Sequence, residues 1–221
     1  MPNTSNSRLF LQLALILICP LLMVVCIFSK STSFVAANFY HCSLLDNLFT
    51  WYTYLGDGIV VAALIIIFWI LSKRDIAVKL LLTYLVSGLI VQVLKHLFHA
   101  PRPRTFFTEQ LYNHFIDGVT HGGFASFPSG HTTTAFAVAA ILAFNTSKQT
   151  VVIIVFWLAA LVGYSRMYLG QHFLEDVLAG IITGIATSMI VEYCYQLFIN
   201  KARASKRPSS ISYEQPAAIG V

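Results

Sequence analysis

"VVIIVFWLAALVGYSRMYLGQHFLEDVLAGIITGIATSMIVEYC", residues 151–194, places Arg166, His172, Glu175 and Asp176 between two strongly apolar runs. Only 10% of the 221 residues are charged and 57% are hydrophobic, against about 25% charged in an ordinary soluble domain. A core of this length cannot hide that much apolar surface from water, so lipid is the expected solvent. A membrane span takes about 20 apolar residues. Six segments approach that length: Leu9–Ser29, Gly58–Ser72, Ile76–Phe98, Thr132–Phe144, Val151–Tyr168 and Phe173–Ile199. The fold class expected is therefore all-α, a polytopic membrane protein of six transmembrane helices. Val35-Ala36-Ala37 has the small residues of a signal cleavage site, but the apolar run before it is about twice a signal core. That run is accordingly taken as a span.

Charge sets the orientation. With the N-terminus in the cytoplasm, that side collects Arg8, Lys73, Arg74, Lys148, Lys201, Arg203, Lys206 and Arg207. The other side holds Lys30, Arg102, Arg104 and Arg166, with Asp46, Asp57, Glu109, Asp117, Glu175 and Asp176. The positive-inside rule then places both termini in the cytoplasm of a plasma or bacterial inner membrane. Residues 1–200 read as one membrane domain and 201–221 as a basic, disordered cytoplasmic tail. The pI near 9.1 reflects that bias. No basic face with interleaved aromatics points to nucleic acid, and nothing points to an obligate protein partner.

Between the first two spans, Leu44, Leu45, Leu48, Trp51 and Tyr52 recur at helical spacing. They fit either a short interfacial helix capped by Ser43 and Asp46, or an irregular loop with aromatic anchors. Gly180 and Gly184 form a GxxxG pair suited to close helix packing.

By this topology three groups of residues meet at the outer ends of spans. The third span ends with Lys95, six further residues and Arg102-Pro103; the fourth begins Phe127-Pro128-Ser129-Gly130-His131. The fifth leads into Ser165-Arg166, then His172 and Asp176. A charge among membrane helices costs about 3 kcal/mol on insertion scales, so such groups mark function. Pro101 and Pro103 should stop the third helix between Lys95 and Arg102. Pro128-Ser129-Gly130 reads as a helix start, where free N–H groups favour an anion and Gly130 lets it approach. His172 and Asp176, four apart, are expected on one helical face. There the carboxylate would hold the imidazole in one tautomer.

These parts suit phosphoryl transfer. Lys95, Arg102, Arg166 and the helix N-terminus can clamp a three-oxygen transition state. His172, oriented by Asp176, can attack phosphorus, and His131 can protonate the leaving oxygen and then activate water. The three ordered blocks resemble the type 2 phosphatidic acid phosphatase (PAP2) superfamily at every motif position, and the six-span frame extends the likeness. The resemblance implies a PAP2-like helical bundle and a metal-independent phosphatase without cofactor. It also implies a nucleophile at His172, a general acid at His131, and phosphate ligands at Lys95, Arg102, Ser129, Gly130 and Arg166.

The function expected is an integral membrane lipid phosphatase acting at the outer face through a phosphohistidine. Phosphatidylglycerol phosphate, phosphatidate, undecaprenyl pyrophosphate and phosphorylated lipid A all fit as its lipid phosphate substrate. A lipid phosphotransferase would use the same pocket. An anion transporter fits less well, because the ionisable groups gather at one interface. His96, His99, His114 and His121 raise the idea of zinc, but no Cys or Glu cluster supports it, and no metal ligand is assigned. In the cover over the pocket, 104–127, Phe106, Phe107, Tyr112, Phe115 and Phe124 either touch acyl chains or anchor the loop.

Overall fold

The computed structural model describes residues 4–107, 112 and 114–205, and every regular element among them is helical. In chain order these are α1 (Thr4–Ile27), α2 (Lys30–Ala37), α3 (Ser43–Tyr52), a 3-10 turn (Thr53–Gly56) and α4 (Gly58–Ile70). There follow α5 (Arg74–Phe98), α6 (Pro103–Phe106), α7 (Gly130–Phe144), α8 (Gln149–Tyr168) and α9 (Leu174–Ser205). The all-α class expected of the sequence is what the chain adopts.

Four helices, α1, α5, α8 and α9, are each long and apolar enough to cross a membrane. The other two expected spans are shorter than a bilayer core. α4 has 13 residues and α7 has 15, about 20 and 22 Å against a hydrocarbon thickness of about 30 Å. Each meets that shortfall differently. α4 is continued by α3 and the 3-10 turn across a 52° bend. It exposes Ile59, Ile66, Trp69 and Ile70 while burying only Val61, the all-round apolar surface of a helix solvated by lipid.

α7 is enclosed instead. Ten of its 15 residues are buried, so protein rather than lipid surrounds it on most sides. The core follows from its small residues. Ala135, Ala139, Ala140 and Ala143 let α1, α8 and α9 close around it, and Phe136 and Phe144 fill the remaining space. Phe10 of α1 meets Phe144 and Phe156 edge-on at 6.0 and 5.6 Å.

The GxxxG pair faces α7. A Cβ at Gly180 would stand 2.8 Å from the Ser129 carbonyl oxygen, and one at Gly184 would overlap the Thr133 carbonyl oxygen. Only glycine permits this approach, which seats the first turn of α7 on α9.

The far end of α7 stops inside the bundle, where its last carbonyls need partners. Asn145 caps them through Nδ2 to the Ile141 oxygen at 2.8 Å. Lys79 of α5 donates to Asn145 Oδ1 at 2.7 Å and to Glu192 Oε1 of α9 at 2.8 Å. Lys79 is 2% and Glu192 5% exposed, a buried ion pair the sequence did not announce.

α3 is a helix, which settles the choice between helix and loop. Its cap is not Ser43: Cys42 precedes the helix with no side-chain cap bond, and Asp46 accepts from the Tyr168 hydroxyl at 2.7 Å. α9 runs to Ser205, five residues into the segment read as tail, and 206–221 lie outside the described residues.

Candidate active site

α5 delivers the first group. Its helix ends at Phe98 because His99 turns left-handed (φ 41°) and closes onto the Lys95 oxygen. The two prolines therefore lie just past the end, and Lys95 occupies the last turn. The segment after it is held by two backbone bonds, Arg102 N–H to the Gly123 oxygen (2.8 Å) and Ser126 N–H to the Ala100 oxygen (3.1 Å).

The second group is the start of α7. Ser129 is fully buried and caps the helix, its Oγ accepting from Thr132 N–H. Its own N–H donates to the Asp176 carbonyl oxygen at 3.0 Å, which joins the starts of α7 and α9. A Cβ on Gly130 would lie 3.9 Å from Lys95 Nζ, so the ammonium stands beside the free amides of the first turn. That is a ready anion site.

The third group comes from the turn between α8 and α9. The N–H groups of Gln171 and His172 both close onto the Arg166 carbonyl oxygen, at 3.0 and 3.2 Å. Arg166 Nη1 donates to Thr53 Oγ1 at 2.8 Å, and Arg102 Nη1 to Gln171 Oε1 at 2.5 Å. His172 and Asp176 do meet, with Nδ1 and Oδ2 3.5 Å apart, but not as neighbours on one helix. His172 precedes α9, which begins at Leu174. The turn folds back onto the helix's first turn, where Asp176 Oδ2 also accepts Phe173 N–H (2.9 Å) and Ser126 Oγ (2.5 Å).

His172 is 2% exposed. Burial is the main force lowering its pKa, to about 4; Asp176 opposes the shift, and Arg166 and Arg102 add to it. Burial thus favours the neutral imidazole, the form that could act as a nucleophile. Arg166 Nε, His172 Nδ1 and Asp176 Oδ1 are buried without a hydrogen-bond partner among the described residues, unusual for buried polar atoms.

All eight residues expected at the site lie at one end of the bundle. A cleft of about 390 Å³ runs from Lys95, Gly130 and His131 between α4, α5 and α7, past Asp57, Tyr84 and Gly88.

Four contributors were not found from sequence: Ser126 on Asp176, Gln171 on Arg102, Thr53 on Arg166, and Asp57. The Asp57 carboxylate caps α4 through Oδ1 to Ile59 N–H (2.9 Å) and sets Oδ2 3.8 Å from His131 Nε2. Gln171 adjoins His172 and could have been noticed. The others stand far from their partners along the chain.

The cover's aromatics divide. Phe107, Tyr112 and Phe115 pack inward with Phe34 and Phe173, whereas Phe106 and Phe124 are exposed. Thr120 Oγ1 donates to the Leu169 oxygen at 2.8 Å, and Gln171 Nε2 to the Val119 oxygen, fastening the cover to the α8–α9 turn. Of the histidines weighed for zinc, His96 and His121 are exposed and His99 stacks on Phe124 at 5.2 Å. His114 lies against His41 instead, with ring centroids 4.0 Å apart.

The PAP2 superfamily profile matches residues 76–200. The lipid A 1-phosphatase of Rhizobium johnstonii is 33% identical over 129 residues, 56% of this chain and 51% of that protein. Undecaprenyl-diphosphatase BcrC of Bacillus subtilis is 30% identical over 149 residues, 66% of this chain and 72% of that protein. The chain thus spans about half the length of the lipid A 1-phosphatases it matches. Among solved structures, Aquifex aeolicus LpxE superposes with a TM-score of 0.63 at 34% identity, covering 72% of this chain and 92% of that one. A transmembrane PAP2 type phosphatidylglycerolphosphate phosphatase from Bacillus subtilis gives 0.62 at 27% identity, covering 90% and 96%.

Proposed function

The chain belongs to the PAP2 superfamily, and on that premise we propose that it is an integral membrane phosphatase acting on a lipid phosphomonoester or pyrophosphate. The observation that carries this reading is the juncture of three chain segments at the N-terminus of α7. There Lys95 stands by Gly130, and Asp176 holds both Ser129 and the His172 turn. Relatives named as lipid phosphatases support the substrate class.

In this mechanism the anionic oxygens sit on the first-turn amides, among Lys95, Arg102 and Arg166. Such preorganised positive charge is the largest catalytic contribution to be expected. His172 presents Nε2 to phosphorus, because Nδ1 faces Asp176. The N–P bond forms as the bond from phosphorus to the lipid-side oxygen breaks, and His131 gives its proton to that oxygen. Water then attacks the phosphohistidine, losing its proton to His131 and returning His172 to its neutral form. Asp57 is a positioning residue: its carboxylate, 3.8 Å from His131 Nε2, orients the ring that carries the proton. The cleft leading from His131 between α4 and α5 would receive the lipid. No step draws on a metal, since the phosphate's charge is met by side chains and amides.

The protein is to be screened for phosphate release from phosphatidylglycerol phosphate, phosphatidate, undecaprenyl pyrophosphate and phosphorylated lipid A, in excess EDTA. At least one lipid should turn over, and vanadate should inhibit. Release only after zinc or magnesium is restored would overturn the mechanism, and transfer to an added acceptor lipid instead of water would make it a phosphotransferase.

The positive-inside bias supports an outward-facing site with cytoplasmic termini. In a cysteine-free background, His121→Cys should be labelled from outside intact cells and Lys148→Cys should not. The opposite pattern would reverse the orientation.

A further inference from the structure

We propose that His41, Asp46 and His114 form a binding site for a divalent transition metal of the zinc type, separate from the phosphate pocket. His41 Nδ1 lies 3.3 Å from Asp46 Oδ1, and His114 Nε2 lies 3.9 Å from Asp46 Oδ2. The nearest donor atoms of all three fall within 4.8 Å of one another. Zinc bound at about 2.0–2.2 Å to imidazole and carboxylate sets its donors about 3.4 Å apart in a tetrahedron. Small side-chain rotations reach that spacing. Two imidazoles and a carboxylate are a donor set that suits zinc, and three protein ligands leave a fourth position for water.

The surroundings look like those of a ligand set. The far nitrogen of His41, Nε2, lies 3.1 Å from the Tyr112 hydroxyl, and Asp46 Oδ1 accepts from Tyr168 at 2.7 Å. Hydrogen bonds of this kind to the ligating groups orient them and raise their basicity. The His114 side chain is 49% exposed, which provides an entry path. A simple ion pair accounts for His41 and Asp46 alone. It does not account for a second imidazole whose ring centroid lies 4.0 Å from the first, tilted 34° to it, and whose Nε2 is turned to the same carboxylate at 3.9 Å.

The three residues come from two segments. His41 and Asp46 flank the start of α3, and His114 belongs to the cover. A metal here would cross-link the cover to α3 on its outer side. The cover's other end already reaches Arg102 and Asp176 through Gly123 and Ser126. Metal occupancy would therefore stabilise the cover without entering the chemistry.

The test uses the full chain, purified in detergent through a histidine-free tag and stripped with EDTA. Stoichiometric Co²⁺ should give visible d–d absorption of a low-coordinate site, Zn²⁺ should displace it, and Zn²⁺ should raise the thermal midpoint. Both signals should persist in the double variant His131→Ala/His172→Ala and disappear in His114→Gln, whose half-exposed position tolerates the change. Absence of both signals in the native chain would overturn the proposal. So would signals that survive His114→Gln, or that vanish in the double variant. The readouts are binding and stability, so the result stands apart from the phosphatase reading.

Discussion

Two groups of charged side chains are buried in this bundle, at opposite ends of α7. At the far end, Lys79 donates to Asn145 and Glu192, and Glu192 also accepts from Asn145 and Gln196, at 3.1 and 2.9 Å. At the near end, Arg166 Nε, His172 Nδ1 and Asp176 Oδ1 are buried without hydrogen-bond partners among the described residues. Both groups bear the cost of removing charge from water. The far group recovers it through bonds on Lys79 Nζ and on both Glu192 carboxylate oxygens, as a clasp on a short helix should. The near group leaves a donor, Arg166 Nε, without a partner among the described residues, the kind of atom an anion could satisfy.

The hardest way to break this contrast is at the near end. His172→Ala should remove turnover and phosphoenzyme together, to below detection. His131→Ala should slow alkyl phosphate hydrolysis by about 10²–10⁴-fold, the usual scale of general acid catalysis. It should still release aryl alcohol once, because that leaving group departs without a proton. Alkali-stable phosphate trapped in His131→Ala, located by mass spectrometry, should then lie on His172. Label on another residue would reject the assignment.

At the far end the same kind of lesion should act on stability instead. Lys79→Met leaves Glu192 charged and unpaired, at a cost of about 3–5 kcal/mol. The double variant Lys79→Met/Glu192→Met should regain most of that, with turnover per folded molecule unchanged in both. Denaturant or thermal unfolding in detergent reads the first outcome and active-site-normalised rates the second. Loss of turnover in well-folded double variant would make the far group part of the function.

The smallest effect sharpens the boundary between the two. Asp57→Asn keeps the amide oxygen that caps α4 but removes the charge facing His131. An approximately tenfold fall in kcat on an alkyl phosphate is expected, with KM little changed and the aryl phosphate nearly unaffected. An equal loss on both substrates would assign Asp57 to the cap alone.

Much of this molecule was legible beforehand because its signals are local. Apolar runs marked the helices, Ser129 and Gly130 marked the start of α7, and Lys95, Arg102, Arg166, His172 and Asp176 carried short internal spacings. Local reading also erred locally. Four-residue spacing suggested that His172 and Asp176 share a helix face, yet a turn and a first-turn carboxylate bring them together. Ser43 looked like a cap and is not one, because the helix already begins at Ser43 and Cys42 takes the cap position.

Sequence by itself determined the helical class and the lipid-compatible surface, and it named the ionisable residues that the fold gathers at one end of the bundle, since each depends on composition or on neighbours within a few positions. Tertiary structure decided how a 15-residue α7 could be used at all. Its ends needed partners from distant helices: Lys79 and Glu192 at one, Asp57 and Asp176 at the other. Such pairings join residues up to 113 positions apart. Their free energy comes from desolvated polar contacts that exist only once the helices are packed, so no local pattern in the chain could encode them legibly.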